Sequence, residues 1–136
     1  MSTQGEDIVQ LARTGALNLN DVQKMLGTAA GNLVTITDWE ACYSQSSGQL
    51  SAFATVTANG SSNKITGIGL LAYSADGAVL YGAAYTNGFS SPMVNTSWGT
   101  TLFKPSMGNQ LLSVIYGWTD QGSYSQTRTI TIGNCD

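Results

Sequence analysis

After residue 32, apolar and polar residues alternate with a period of two, the signature of half-buried strands. The clearest case lies near the C-terminus. There Leu112, Val114, Tyr116 and Trp118 share one face of a strand over 111–118, and Tyr124, Ile130 and Ile132 share one face of a strand over 124–132. Between them, Thr119-Asp120-Gln121-Gly122-Ser123 predicts a tight turn, because Asp bonds its own backbone and Gly supplies a positive φ. A hairpin cannot bury its apolar face alone, so the preceding chain must supply an opposing layer.

Five further strands are predicted over 33–43, 50–57, 65–74, 79–86 and 96–104. In the first of these, Val34 and Ile36 fall on one face and Trp39 and Tyr43 on the other, which predicts two partly covered faces. Asp76-Gly77 is the strongest two-residue hairpin signal in the chain. Asn87-Gly88 then reads as the end of a strand, leaving Phe89 and Pro92 in a loop that runs to Asn95. Gly67, Gly69 and Gly82 weaken their strands unless another backbone or a ligand approaches closely there.

The first 32 residues follow a helical period instead. Ile8, Val9, Leu11 and Ala12 make an apolar stripe over 6–14, stopped by Gly15. Asn20 caps a second segment with Val22, Met25 and Leu26 on one side and Gly27 at its end. Residues 1–32 are therefore expected to form a short helical hairpin, an extension of a β domain over 33–136. Helices this short need an apolar surface to dock on. That surface is either the domain's own or a second copy, which makes Ile8, Leu11, Val22, Met25 and Leu26 the candidates for self-association.

About seven strands spaced by turns predict a mainly β fold, a two-layer antiparallel β-sandwich. In layout this resembles immunoglobulin and fibronectin type III domains, although the Cys…Trp…Cys spacing of true immunoglobulin domains is absent. If the first and last strands run as parallel neighbours, Cys42 and Cys135 come together; a disulfide and two free thiols are both open readings.

Composition narrows the partners. Only 10% of the residues are charged, against a usual ~25%, and 31 Ser and Thr stand against 13 charged residues. Five scattered basic residues and a net charge of −3 offer no patch for nucleic acid or anionic lipid. The first residues lack a basic and an apolar leader region, so the chain is expected to be cytoplasmic or exported without a classical leader.

The absence of histidine removes the commonest general base and metal ligand, and no catalytic or nucleotide-binding motif is present. Asp38 and Glu40, two apart on one strand, are the weak metal candidates; no cofactor is expected. The rings of Trp39, Tyr43, Phe89, Trp98 and Tyr124, set among Asn, Ser and Thr, suit either an interface or stacking on sugars. The leading expectation is a non-enzymatic homo-oligomeric subunit associating through the helices or through sheet edges that lack charged protection. A lectin-like module using loop aromatics is the first alternative. A membrane-active protein inserting the charge-poor ribbon over 65–86 is the second.

Overall fold

The computed structural model describes residues 4–19, 22, 26, 33–101 and 108–136. Among the described residues helix α1 (Gln4–Arg13) precedes seven strands: β1 (Val34–Ser44), β2 (Gln49–Ala58), β3 (Ile65–Ser74), β4 (Leu80–Ser91), β5 (Met93–Thr101), β6 (Gln110–Thr119) and β7 (Gly122–Asn134). The strands form one mixed sheet, nearly closed into a barrel, in the order β4-β3-β6-β7-β1-β2-β5. This corrects the expected two-layer antiparallel sandwich of immunoglobulin layout. The strands that would have belonged to two layers are joined by a parallel ladder between β1 and β7, Ala41↔Ile132, Cys42↔Gly133 and Tyr43↔Asn134. Alternation reveals each strand's faces but carries no information on such a distant pairing.

The same ladder brings the cysteines together. Cys42 and Cys135 form a disulfide across the β1–β7 ladder, with Cα atoms 5.1 Å apart. Beyond it the Asp136 carboxylate accepts hydrogen bonds from the Ser44 and Ser46 hydroxyls at 2.6 and 3.0 Å and from the Gln45 and Ser46 backbone N–H groups. These bonds, the Ser44 hydroxyl foremost, hold its carboxyl below the usual carboxylate range.

The edge strands β4 and β5 follow one another through Pro92 and face each other across the remaining seam. Trp98 of β5 closes it by lying against Gly82 of β4, where a Cβ would collide with the indole. The expected loop over 87–95 is thereby corrected. β4 continues to Ser91 and β5 begins at Met93, so Phe89 sits in a strand.

Two apolar clusters hold the sheet. Inside the barrel lie Val34, Trp39, Ala41, Tyr43, Leu50, Val56, Ile65, Leu70, Leu111, Ile115, Tyr124 and Ile130, among others. Outside, the N-terminal segment covers β4, β3 and β6: Ile8, Val9, Ala12, Val22 and Leu26 pack on Leu71, Tyr73, Val114 and Tyr116. The faces expected to act together in the C-terminal hairpin thus lie on opposite sides. Val114 and Tyr116, flanked by Leu112 and Trp118, face the helix, whereas Tyr124 and Ile130 face the interior.

The helical hairpin as a whole is not supported: α1 is followed by a turn at Thr14 and Gly15, and the span over 20–27 lies outside the described residues except Val22 and Leu26, which are helical and buried. In β1 the expected two-faced reading is also corrected. Asp38, at φ 51°, makes a bulge that sets two residues of β1 opposite one of β2 and resets the alternation. As a result Val34, Ile36, Trp39, Ala41 and Tyr43 all point into the barrel.

Candidate functional site

A second break in register builds an open cleft. β3 pairs with β6 through Ile65↔Thr119 and then Gly67↔Trp118, leaving Thr66 as an extra residue. On the other side β3 pairs with β4 through Ile65↔Ser91 and then Gly67↔Asn87, so Gly88, Phe89 and Ser90 oppose Thr66 alone. Gly88, at φ 83°, allows that bulge. Bulges re-aim side chains and end pairing, and here they open the ends of three adjacent strands. The resulting cleft, about 590 Å³, is lined by Thr66, Tyr85, Asn87, Gly88, Phe89, Ser90, Trp118 and Thr119.

The cleft walls are fixed from behind. Tyr85 stacks on Tyr116 with ring centroids 5.9 Å apart and planes 7° apart, and Trp118 stands edge-on to Tyr85 at 5.9 Å and 88°. Glycines make room for these rings: a Cβ at Gly67 or Gly5 would run into Tyr85, and one at Gly69 into Tyr116. The strand glycines that looked weakening are the floor under aromatic side chains. Tyr116, fully buried, donates its hydroxyl to the Gly5 carbonyl at 2.9 Å, tying α1 to the same wall. Burial raises the Tyr85 phenol above its ordinary value; its hydrogen bond with Asn87 opposes the rise, and the Glu6 carboxylate adds to it.

The bulge itself is held by polar contacts. Thr66 donates its hydroxyl to the Trp118 carbonyl at 3.4 Å. The Tyr124 hydroxyl reaches through the interior and donates to the Gly67 carbonyl at 3.1 Å. Asp120 ties the β6–β7 turn to the segment before β3, accepting from the Lys64 N–H and donating its own N–H to the Lys64 carbonyl, both at 3.0 Å. Replacing Tyr124 by Phe is expected to cost about 1 to 3 kcal/mol, because the buried Gly67 carbonyl loses its donor. Denaturant unfolding of Tyr124→Phe checks this.

The residues named from sequence are dispersed. Trp39 and Tyr43 are buried inside the barrel, Tyr124 is wholly inaccessible, and Trp98 is half-buried on the seam. The Trp39 indole N–H donates to Ser113 Oγ at 2.9 Å, and the Arg128 guanidinium lies 4.8 Å above its ring. Of the five, Phe89 alone borders the cleft. Tyr85, Asn87 and Trp118 are not among the sequence candidates for a site, although Tyr85, Asn87 and Phe89 recur at every second position of one strand.

Among the self-association candidates, Ile8, Val22 and Leu26 are buried on the chain's own sheet, Leu11 is 39% exposed, and Met25 lies outside the described residues. Asp38 and Glu40 are exposed, and among the described residues no group of three or more Cys, Asp or Glu side chains could hold a metal ion. No described helix is long and apolar enough to cross a membrane, and β3, half of the ribbon over 65–86, is buried on both faces.

No protein-family model matches the chain, and no curated protein is similar to it. Among solved structures it is similar to a DUF3823 family protein from Bacteroides ovatus, with 9% identity and a TM-score of 0.47. It is also similar to β-glucuronidase 3 from Bacteroides uniformis, with 12% identity and a TM-score of 0.46. Those matches cover 73% and 74% of this chain but 55% and 12% of the other. A superoxide reductase (neelaredoxin) from Ignicoccus hospitalis matches over 84% of this chain and 91% of its own, with 14% identity and a TM-score of 0.41. Likenesses this slight carry no argument about activity.

Proposed function

We propose that this chain is a non-enzymatic binding module that takes a carbohydrate in the cleft between the ends of β4, β3 and β6. One observation supports the reading above others. Three rings, Tyr85, Phe89 and Trp118, border a single open cavity together with an amide and three hydroxyl side chains, those of Asn87, Thr66, Ser90 and Thr119. Sugar rings present apolar C–H faces and polar rims, so they need flat aromatic surface and hydrogen-bonding groups side by side. The volume lies within the range of about 300 to 1,000 Å³ usual for small-molecule sites.

This reading ranks above self-association because three of the five residues assigned to that role, Ile8, Val22 and Leu26, are buried against the chain's own sheet. The apolar stripe of α1 packs on the sheet, and the edges β4 and β5 face one another across the seam.

Trp118 supplies the signal for a test. Titrating the protein with a panel of neutral, acidic and amino oligosaccharides is expected to shift tryptophan emission for at least one class. Trp118→Ala and Phe89→Ala are each expected to weaken that binding about tenfold or more, the loss of roughly 1.4 kcal/mol of stacking. A panel that gives neither a fluorescence change nor calorimetric heat, with the protein folded, would overturn the proposal.

A further inference from the structure

We infer that the hollow between the end of α1 and the β3–β4 turn is a second binding site, one that takes a small aliphatic carboxylate. Two turns build it. The helix stops at Gly15, whose φ of 77° sends the chain back so that the Ala16 and Leu17 N–H groups both reach the Leu11 carbonyl. That reversal sets Leu17 in one lining with Ala12 and Arg13. Gly77, at φ 76°, turns β3 toward β4 and brings Val79 and Leu80 to the same hollow, where Tyr73 of β3 also borders it. The cavity is about 370 Å³, toward the low end of the range of about 300 to 1,000 Å³ usual for small-molecule sites, and it shares no lining residue with the cleft.

The chemistry of the lining selects the ligand. Among its described residues Arg13 carries the one charge, and Ala12, Leu17, Val79 and Leu80 supply apolar surface around it. Arg13 is anchored: its guanidinium donates to the Ala83 carbonyl at 3.4 Å. A guanidinium holds five N–H donors in a planar fork, so one anchor fixes the plane without exhausting the donors, and the fork matches the two oxygens of a carboxylate. The helix carbonyls that would repel an anion are already engaged, Gln10 by the Thr14 N–H, Ala12 by the Gly15 N–H and Leu11 by two N–H groups. Asp76, beside Gly77, spends its carboxylate on the Ser74 hydroxyl at 2.6 Å and the Ala78 N–H at 3.0 Å. Val79 is 56% exposed, and an aliphatic tail lying along the hollow would cover it.

Arg13 stands in the last turn of α1, where a cation also complements the helix dipole, so the test compares ligands of one length that differ in charge. The full isotope-labelled chain is titrated with octanoate, octanol and octylammonium, and the backbone amide signals are followed by NMR. Octanoate is expected to move the signals of Gly15, Gly77, Ala78 and Val79 and to bind at least about tenfold tighter than the other two, the advantage of paired charge-assisted hydrogen bonds. Arg13→Gln is expected to bring octanoate down to the level of octanol and to leave octanol unchanged. A role in helix stability alone would weaken both alike. Val79 is exposed enough to accept a polar replacement, and Val79→Asp is expected to weaken octanoate at least about threefold more than the neutral Val79→Asn does, by repulsion between carboxylates. No movement of these signals with octanoate, octanol bound as tightly as octanoate, or octanoate binding unchanged in Arg13→Gln would each overturn the site.

Discussion

Replacing Cys42 and Cys135 together by serine is expected to lower the unfolding free energy by about 3 to 5 kcal/mol, one of the two largest losses expected for this chain. The disulfide closes a loop with a sequence separation of 93. Joining two points that far apart removes many conformations from the unfolded chain, and the cost of closure grows with the logarithm of loop length. Its position adds to this. In the strand order, β1 and β7 are the pair that links β4-β3-β6-β7 to β1-β2-β5, and their ladder consists of three residue pairs. The bond starts in that ladder at Cys42 and ends just beyond β7 on Cys135, whose N–H donates to the Tyr43 carbonyl at 3.1 Å. Denaturant unfolding of the double variant, against the oxidised protein, measures the loss. A midpoint drop of roughly 10 to 20 °C in a thermal melt is the matching expectation. A difference below about 1 kcal/mol would mean that the unfolded chain keeps these ends together by other means.

Much of the strand layout was legible because period-two alternation and Asp-Gly or Asn-Gly turns act over a few residues. β3 was read with the bounds the structure gives it, Ile65–Ser74, and Asp76-Gly77 does make the β3–β4 turn, with the Asp76 carboxylate accepting from the Ser74 hydroxyl at 2.6 Å. What failed was whatever depends on a partner strand. Thr37-Asp38-Trp39 contains no glycine to announce a bulge, so alternation carried through Asp38 splits the core residues of β1 between two faces, whereas the structure turns them all inward. The apolar row Leu112, Val114, Tyr116 and Trp118 was visible, but a row of this kind does not say whether a sheet or a helix covers it. The cleft was the least legible part. Asn87-Gly88 is equally good chemistry for a strand end and for a bulge, and the choice is made by β3, which must satisfy β4 on one side and β6 on the other.

That dependence on three strands makes Gly117 the position where a single methyl group is expected to do most harm. Gly117 pairs with Tyr124 on β7 and faces the interior beside the Thr66 bulge. A Cβ there would penetrate the Gly67 carbonyl oxygen and crowd the Tyr124 hydroxyl that bonds it. Neither obstacle is the free end of a flexible side chain. The carbonyl belongs to the bulge backbone, and moving it breaks a buried hydrogen bond and displaces Thr66 and Trp118, two walls of the cleft. Gly117→Ala is therefore expected to cost about 2 to 4 kcal/mol, overpacking and a lost buried bond together. It should also weaken ligand binding at least about tenfold even where the protein stays folded. Gly133→Ala is the matched comparison. Its Cβ would meet the Ala41 carbonyl at 3.7 Å, an ordinary contact, so stability should change by no more than about 0.5 kcal/mol. Parallel denaturation and titration of the two variants separate the effects. If Gly117→Ala behaves like Gly133→Ala, the bulge yields freely, and a cleft whose floor yields freely cannot hold Trp118 and Thr66 in the places that the proposed sugar recognition requires.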